Sequence, residues 1–254
     1  MAPVRKSFQG IGNIVRFNWH YFALAITFLL LISSLSFFVR EELRFALYGL
    51  MALMCLAVIL PLFISFYIYD LSGLYGLQWL NDIKISKGET IVNIHAGFDE
   101  TSQLLRAKFP DNTLKVFDFY NPIIHTEASI KRARKAYSAY EGTLVISTSM
   151  LPLTNQEADC ILIIFAAHEI RNDLERTIFF KELNQALSPV GKIVVVEHLR
   201  DLLNILVYNI GAMHFLSRSS WHSTFTSANL SVTDEICITP FVRRFVLEKN
   251  ENIS

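Results

Sequence analysis

Two stretches of the chain contain no charged residue: YFALAITFLLLISSLSFFV from Tyr21 to Val39, and FALYGLMALMCLAVILPLFISFYIY from Phe45 to Tyr69. Each reaches the roughly 20 residues needed to cross a hydrocarbon core of about 30 Å. Neither has the polar stripe that a water-facing helix requires. The link REELR, Arg40 to Arg44, leaves room only for a tight turn, so the pattern predicts a two-helix transmembrane hairpin over 21–69. Pro61 falls inside the second span, where membrane helices tolerate it. A cleaved signal peptide is the competing reading of the first run, but there is no small-residue cleavage pattern and a second span follows at once.

Beyond the hairpin, residues 70–88 mix apolar and aromatic positions with two early glycines, Gly73 and Gly76. They read as an interfacial linker helix, with Tyr75 and Trp79 suited to a membrane surface, or as a segment packed on the next domain. From Glu89 the pattern alternates short apolar runs with longer amphipathic ones, the mark of a parallel sheet covered by helices. The predicted strands are TIVNIHA (90–96), TLKVFDF (113–119), TLVISTS (143–149), ADCILIIFA (158–166) and KIVVVEH (192–198). The clearest helix is DLERTIFFKELNQALS, where Phe179, Leu183, Ala186 and Leu187 share a face before Pro189 and Gly191 break it. Near the end, two apolar runs joined around Pro240 predict an antiparallel β-hairpin.

Composition agrees with this division. Hydrophobic residues make up 52% of the 254, more than an ordinary soluble chain carries, and the excess lies in the two uncharged runs. Arg5, Lys6 and Arg16 precede the first span, whereas Arg40 and Arg44 lie in the turn, which places the N-terminal segment 1–20 and everything after Tyr69 in the cytoplasm. Lys and Arg number 23 and Asp and Glu 23, leaving no basic footprint for nucleic acid. Cys55, Cys160 and Cys237 stand far apart in apolar surroundings and read as reduced core thiols, with neither a disulfide framework nor a metal cluster.

The βα series ending in a hairpin, over 89–254, resembles the class I S-adenosylmethionine-dependent methyltransferases. The implied fold is α/β, a Rossmann-like sheet closed by an antiparallel hairpin and preceded by the transmembrane pair. In that family the first strand ends in a DxGxGxG-like turn. Here IVNIHAGFDETS puts Asn93 at the acidic position, His95 and Gly97 at the first two glycines and Asp99 at the third, so Gly97 alone keeps the family residue. The resemblance implies that this turn, with Ala96, holds the amino-acid end of S-adenosylmethionine. Asp99 is placed to cap the following helix, and two acids at that start suit a cationic sulfonium better than a pyrophosphate. It further implies that Asp118, ending the second apolar run, accepts the ribose hydroxyls with Phe119 or Tyr120 against adenine. Ser149 and Met150 then neighbour the base, and Ala166 and Ala167 leave room for the cofactor. The stretch from Leu187 to Glu197, LxPxGKIxxxE, resembles the family's junction into its fifth strand.

After that strand comes a largely apolar insertion studded with Glu197, His198, Arg200, Asp201, Asn204, Asn209, His214 and Arg218. Such an insertion covers the methyl acceptor in this fold, and a hydroxyl acceptor needs a base. The candidates, in order, are His198, His214 and His168. Glu197 either orients a histidine or pairs with Arg200. KRAR, Lys131 to Arg134, is a solvated helix face or a contact for anionic head groups.

No tyrosine is followed four residues later by lysine, and neither GxSxG nor GxxxxGK occurs, which removes short-chain dehydrogenases, serine hydrolases of the nucleophile-elbow type and P-loop enzymes. The reading is thus a membrane-anchored methyltransferase acting, by O-methylation, on a lipophilic small-molecule acceptor among membrane lipids. A two-helix anchor is also suited to self-association. The alternative is a binding or scaffold protein of the same fold that holds no cofactor.

Overall fold

The computed structural model describes residues 5–124 and 127–250. The chain opens with a short helix, α1 (Gln9–Phe17), followed by α2 (Trp19–Ser36) and α3 (Glu41–Phe66), which runs on into a π-helical turn, Tyr67–Leu71. Glu41 and Glu42 start α3, where acidic groups complement the helix dipole. Arg44 reaches back from α3 and donates from Nε to the Ser36 carbonyl at 2.9 Å, fastening the turn. Both α2 and α3 are long and apolar enough to cross a membrane, and the rest of the chain leaves them largely uncovered.

The domain beyond them is built on a seven-stranded sheet of order β3-β2-β1-β4-β5-β7-β6. Its strands are β1 (Thr90–His95), β2 (Thr113–Asp118), β3 (Leu144–Val145), β4 (Ala158–Ile164), β5 (Leu187–Glu197), β6 (Leu230–Thr239) and β7 (Val242–Lys249). The first five pair in parallel, while β7 runs antiparallel to both β5 and β6, giving the expected doubly wound sheet with its terminal hairpin. After β1 the chain adds strands on one side and then returns to place β4 on the other. That reversal opens a crevice at the carboxyl ends of β1 and β4, the place where such sheets bind ligands.

The helices that cover the sheet are α4 (Ser102–Lys108), α5 (Ala128–Ala136), α6 (Asp173–Ala186), α7 (Leu202–Tyr208) and α8 (Arg218–Ser227). The alternation in β5 divides the core. Ile193 and Val195 face a layer with Phe179, Phe180, Trp221 and Phe225, and Val194 and Val196 face the other layer with Leu74, Leu77 and Leu80. Asn172 caps α6, its side chain accepting from the Glu175 amide at 3.0 Å.

Four local expectations change. Leu187 leaves the helix face and opens β5, which runs through Pro189 and Gly191. The linker over 70–88 is not an interfacial helix. It forms two short 3₁₀ turns, Leu74–Gly76 and Gln78–Leu80, and buries Leu74, Leu77, Leu80 and Ile83 on the sheet. Gly73 and Leu77 both take left-handed backbone, which interrupts helix, and Arg244 of β7 binds Asp82 through two bonds of 2.6 and 2.8 Å, pinning the linker in place. The strand expected over 143–149 shrinks to β3, whose two side chains are exposed at the sheet edge. Cys237 is exposed rather than in the core, whereas Cys160 is buried, and burial pushes its thiol up to about 12.

Phe180 is fully buried against Phe179, Trp221 and Phe225, so truncating it leaves a void that the surrounding rings cannot close. Phe180→Ala is expected to lower stability by about 3–5 kcal/mol. Equilibrium unfolding of the purified chain in detergent checks this, and a loss below about 1 kcal/mol would contradict the packing described.

Candidate active site

The turn after β1 is shaped by Gly97. Its φ of +92° is left-handed, and a β-carbon there would lie 2.9 Å from the Tyr120 ring and 3.1 Å from the Ile130 side chain. The Gly97 amide donates to His95 Nδ1 at 3.2 Å, which places the imidazole proton on Nε2. That Nε2 is buried with no hydrogen-bond partner. Burial lowers the His95 pKa, against the opposing pull of Asp99 and Asp118, and keeps the ring neutral. Asp99 Oδ1 accepts from the amides of Thr101 and Ser102, both at 2.9 Å, while Asp99 Oδ2 is buried and unpartnered. Asn93 donates to the Thr101 and Ser102 hydroxyls at 3.0 and 2.8 Å, tying β1 to α4.

At the end of β2, Asp118 is buried. One oxygen accepts from the Tyr120 amide at 2.9 Å and the other is held by the Arg134 guanidinium of α5. Arg134 also donates to the Gly97 carbonyl at 3.3 Å and lies over the Tyr120 ring, 4.5 Å from its centroid. Between these groups remains a cavity of about 70 Å³.

A larger chamber, about 380 Å³, lies at the ends of β1, β4 and β5 beneath α1 and the end of α3. His168, in the 3₁₀ turn Ala167–Glu169 after β4, contacts Glu197 from Nδ1 at 2.7 Å and Glu169 from Nε2 at 3.2 Å. Burial opposes its charge, but the Glu197 carboxylate and the bonds to Glu169 and Glu197 outweigh it and raise the pKa to about 10. His168 is therefore an imidazolium at neutral pH. His198 is the opposite case. It is sandwiched between Phe165 and Phe215, with ring centroids 5.0 Å away on each side, and burial lowers its pKa to about 4. Its Nδ1 faces the Phe241 carbonyl at 2.9 Å, so Nε2 accepts from the Tyr69 hydroxyl at 2.7 Å. His214 is half-buried with its ring 5.8 Å from that of His168, and burial and the His168 charge lower it to about 4.

The roof is fixed by charge. Asp70 accepts from the Gly10 and Ile11 amides, both at 2.8 Å, which seats α1 on the end of α3. A β-carbon at Gly10 would fall 2.5 Å from that of Tyr69, so only glycine permits this approach. Glu100 accepts from Arg5 at 2.9 Å, Asn13 at 3.1 Å and Tyr75 at 2.9 Å, and the Tyr137 hydroxyl donates to Asn13 at 2.8 Å.

No protein-family model matches the sequence, and no curated protein matches it. Solved structures do. A SAM-dependent methyltransferase from Aquifex aeolicus aligns with a TM-score of 0.52 at 14% identity, covering 70% of this chain and 93% of its own. One from Methanosarcina mazei gives 0.51 at 12%, covering 68% and 97%. Geranyl diphosphate C-methyltransferase from Streptomyces coelicolor, solved with Mg²⁺, geranyl diphosphate and S-adenosyl-L-homocysteine, gives 0.51 at 13%, covering 72% and 82%. The fold is that of the SAM-dependent methyltransferases.

On this methyltransferase fold the residues singled out by sequence separate into groups. His95, Gly97, Asp99, Asp118 and Tyr120 converge at the β1 and β2 ends, with Ala96 buried in the same turn. His168, His198 and His214 meet in the chamber, and Glu197 holds His168 while Arg200 is exposed. Phe119 is not at the crevice. Strand alternation turns it inward, where it packs on Phe179 at 5.6 Å. Ala166 and Ala167 are likewise buried in the core, while Phe165 and His168 on either side face the chamber. Ser149 and Met150 are exposed, because short β3 ends early and 147–150 forms a surface turn. In KRAR, Arg132 binds the Phe17 carbonyl and His20, and Arg134, though partly exposed, binds Asp118, so neither is simply a solvated charge. Tyr69 and Asn13 were not among the sequence candidates, Glu100 was read only as a second acid at a helix start, and Arg134 only as part of the basic run KRAR.

The histidines set opposite pH limits. An unfolded imidazole titrates near 6.5. His168 has a higher folded value, about 10, so its stabilisation is complete below about 6.5 and is lost as pH rises toward 10. His198 has a lower one, about 4, so the unfolded chain takes up its proton first and stability falls as pH drops from about 6.5 toward 4. Urea midpoints are expected to peak at about pH 6–7. His168→Gln should flatten the alkaline limb and His198→Gln the acid limb; unchanged limbs would contradict both assignments.

Proposed function

We propose that the chain is a membrane-anchored S-adenosylmethionine-dependent methyltransferase that O-methylates a lipophilic acceptor, with α2 and α3 crossing the bilayer and the N-terminus and catalytic domain in the cytoplasm. One observation carries the reading: two buried polar atoms without partners, His95 Nε2 and Asp99 Oδ2, flank the left-handed Gly97 at the ligand-binding end of a methyltransferase sheet. A donor and an anionic acceptor so placed fit the carboxylate and ammonium of an amino acid. His95, Gly97 and Asp99 would hold that end of the cofactor, and Asp118 with Tyr120 the nucleoside. When bound, the sulfonium supplies an electrophilic methyl group.

The acceptor side belongs to the histidine chamber. Neutral His214, beside His168 in the chamber, can take the proton of an acceptor hydroxyl as the methyl group is transferred to its oxygen. Glu197 and Glu169 keep His168 charged, so they act as positioning residues. His198, with both nitrogens engaged, supports the wall and anchors Tyr69.

A second reading, a binding or scaffold protein of this fold, is favoured by the Arg134 guanidinium on Asp118 and the Tyr120 ring over Gly97, which occupy the nucleoside half of the crevice. Calorimetry with S-adenosylhomocysteine in detergent separates the two. If Arg134 competes with ribose, Arg134→Met is expected to tighten binding roughly tenfold and Asp118→Ala to weaken it at least tenfold. A purely structural ion pair would move both variants in the same direction. No binding of S-adenosylhomocysteine at millimolar concentration would leave the scaffold reading. With an acceptor in hand, His214→Phe should lower kcat by about 10²-fold or more with little change in S-adenosylhomocysteine affinity.

A further inference from the structure

The histidine chamber is not closed on the side of the spans. A second cavity of about 680 Å³ adjoins it, and the two share Ile14, Asn18, Ser65, Ser129, Tyr208 and His214 along their boundary. The walls differ in kind. The chamber is aromatic, with Phe98, Phe165, Phe215, Tyr69 and Tyr208 presenting ring faces and edges. The outer groove is largely aliphatic where it meets α3, at Ala57, Val58, Pro61 and Leu62. Ala57 precedes the Phe66 end of α3 by nine residues, which is about 13 Å along a helix rising 1.5 Å per residue. The groove therefore opens at a depth where α3 is surrounded by hydrocarbon if it spans a bilayer. Its other lip is the insertion after β5, where Ile210 is 88% exposed and Leu202, Leu206 and Met213 also face outward. With α3 across a bilayer, the exposed apolar side chains of this lip would be solvated by lipid rather than water.

We propose that the acceptor is an amphiphile with a flat hydroxylated ring and a hydrocarbon tail, and that it enters the chamber sideways from the bilayer along this groove. The aromatic walls match a ring, which gains from stacked and edge contacts there, and the aliphatic walls match a chain. Tyr208 stands at the boundary, its hydroxyl 3.4 Å from Ser65 Oγ, so the ring passes a polar threshold before its hydroxyl reaches His214. The tail stays in the groove, so the amphiphile never leaves the membrane completely. This inference rests on the membrane-anchored reading above and adds the shape of the acceptor and its route.

Gly211 lines the groove, and a β-carbon there meets only Tyr208, at 3.8 Å, so a large side chain can be introduced without a backbone clash. The test uses the full chain in lipid nanodiscs and two photoreactive probes: a phenol with a diazirine on its ring, and the same ring bearing a twelve-carbon alkyl tail. The tailed probe is expected to label peptides within 62–69 and 206–215. Gly211→Trp should cut that labelling roughly tenfold while leaving labelling by the tailless phenol within about twofold. Ala57→Trp, in the exposed wall of α3, is a second plug should the first variant fail to fold by circular dichroism. Labelling by the tailed probe that ignores both plugs, or that falls outside these segments, overturns the route. S-adenosylhomocysteine binding is measured on the same samples. Its absence with plug-sensitive labelling intact would remove methyl transfer but retain the lipid route, and its presence with plug-insensitive labelling would do the reverse.

Discussion

Two neighbouring residues at the end of α3 set the relation between the apolar hairpin and the sheet. Asp70 takes the first free amides of α1, and Tyr69 donates to a histidine at the end of β5. A helix start presents amides that nothing in the helix can satisfy, and a buried imidazole likewise needs its nitrogens answered. Meeting both demands from consecutive positions locks α1, α3 and the carboxyl edge of the sheet into one register. The π turn at Tyr67–Leu71 contributes by shifting the helical phase just where these side chains must diverge. The chamber, its roof and the groove beside it exist because that register is held.

Buried charge explains the rest of the site. Glu197 is fully buried, and it is tolerable only because His168 is charged beside it. The cost of that arrangement appears in the neighbours, since His198 and His214 are both driven neutral in part by the same imidazolium. Three histidines in one pocket thus take two protonation states at one pH. At the crevice the chain answers Asp118 with Arg134 but leaves His95 and Asp99 each with one atom unanswered.

The sequence made the sheet legible because strand alternation and length are local: β1, β2, β4 and the β6–β7 hairpin lie where apolar runs of that length predict them. The short β3 escaped because an edge strand has one partner and little burial, so its apolar run overstates its order. The linker misled through composition. Tyr75 and Trp79 suit a membrane surface, but left-handed backbone at Gly73 and Leu77 and the grip of Arg244 on Asp82 are tertiary facts. Asp118 was findable from its place at a strand end, whereas its partner Arg134 sits 16 residues on, at a helical phase the sequence does not reveal. Likewise the three histidines were visible as residue types, but their division into cation and neutral bases depends on Glu169, in the turn after β4, and Glu197, at the end of β5, converging on His168.

The margins of the sheet carry a consequence of their own. On one side β3 offers only two residues for pairing. On the other, β6 is irregular twice, between Val232 and Asp234 and between Cys237 and Thr239, and it bears Asp234 and Glu235. Bulges, brevity and charge are the features that stop one sheet from templating another. If the two long apolar helices cross a bilayer, copies of this chain are confined to a plane and crowded together, where open strand edges would readily zip into aggregates. Both borders are blunted against that fate.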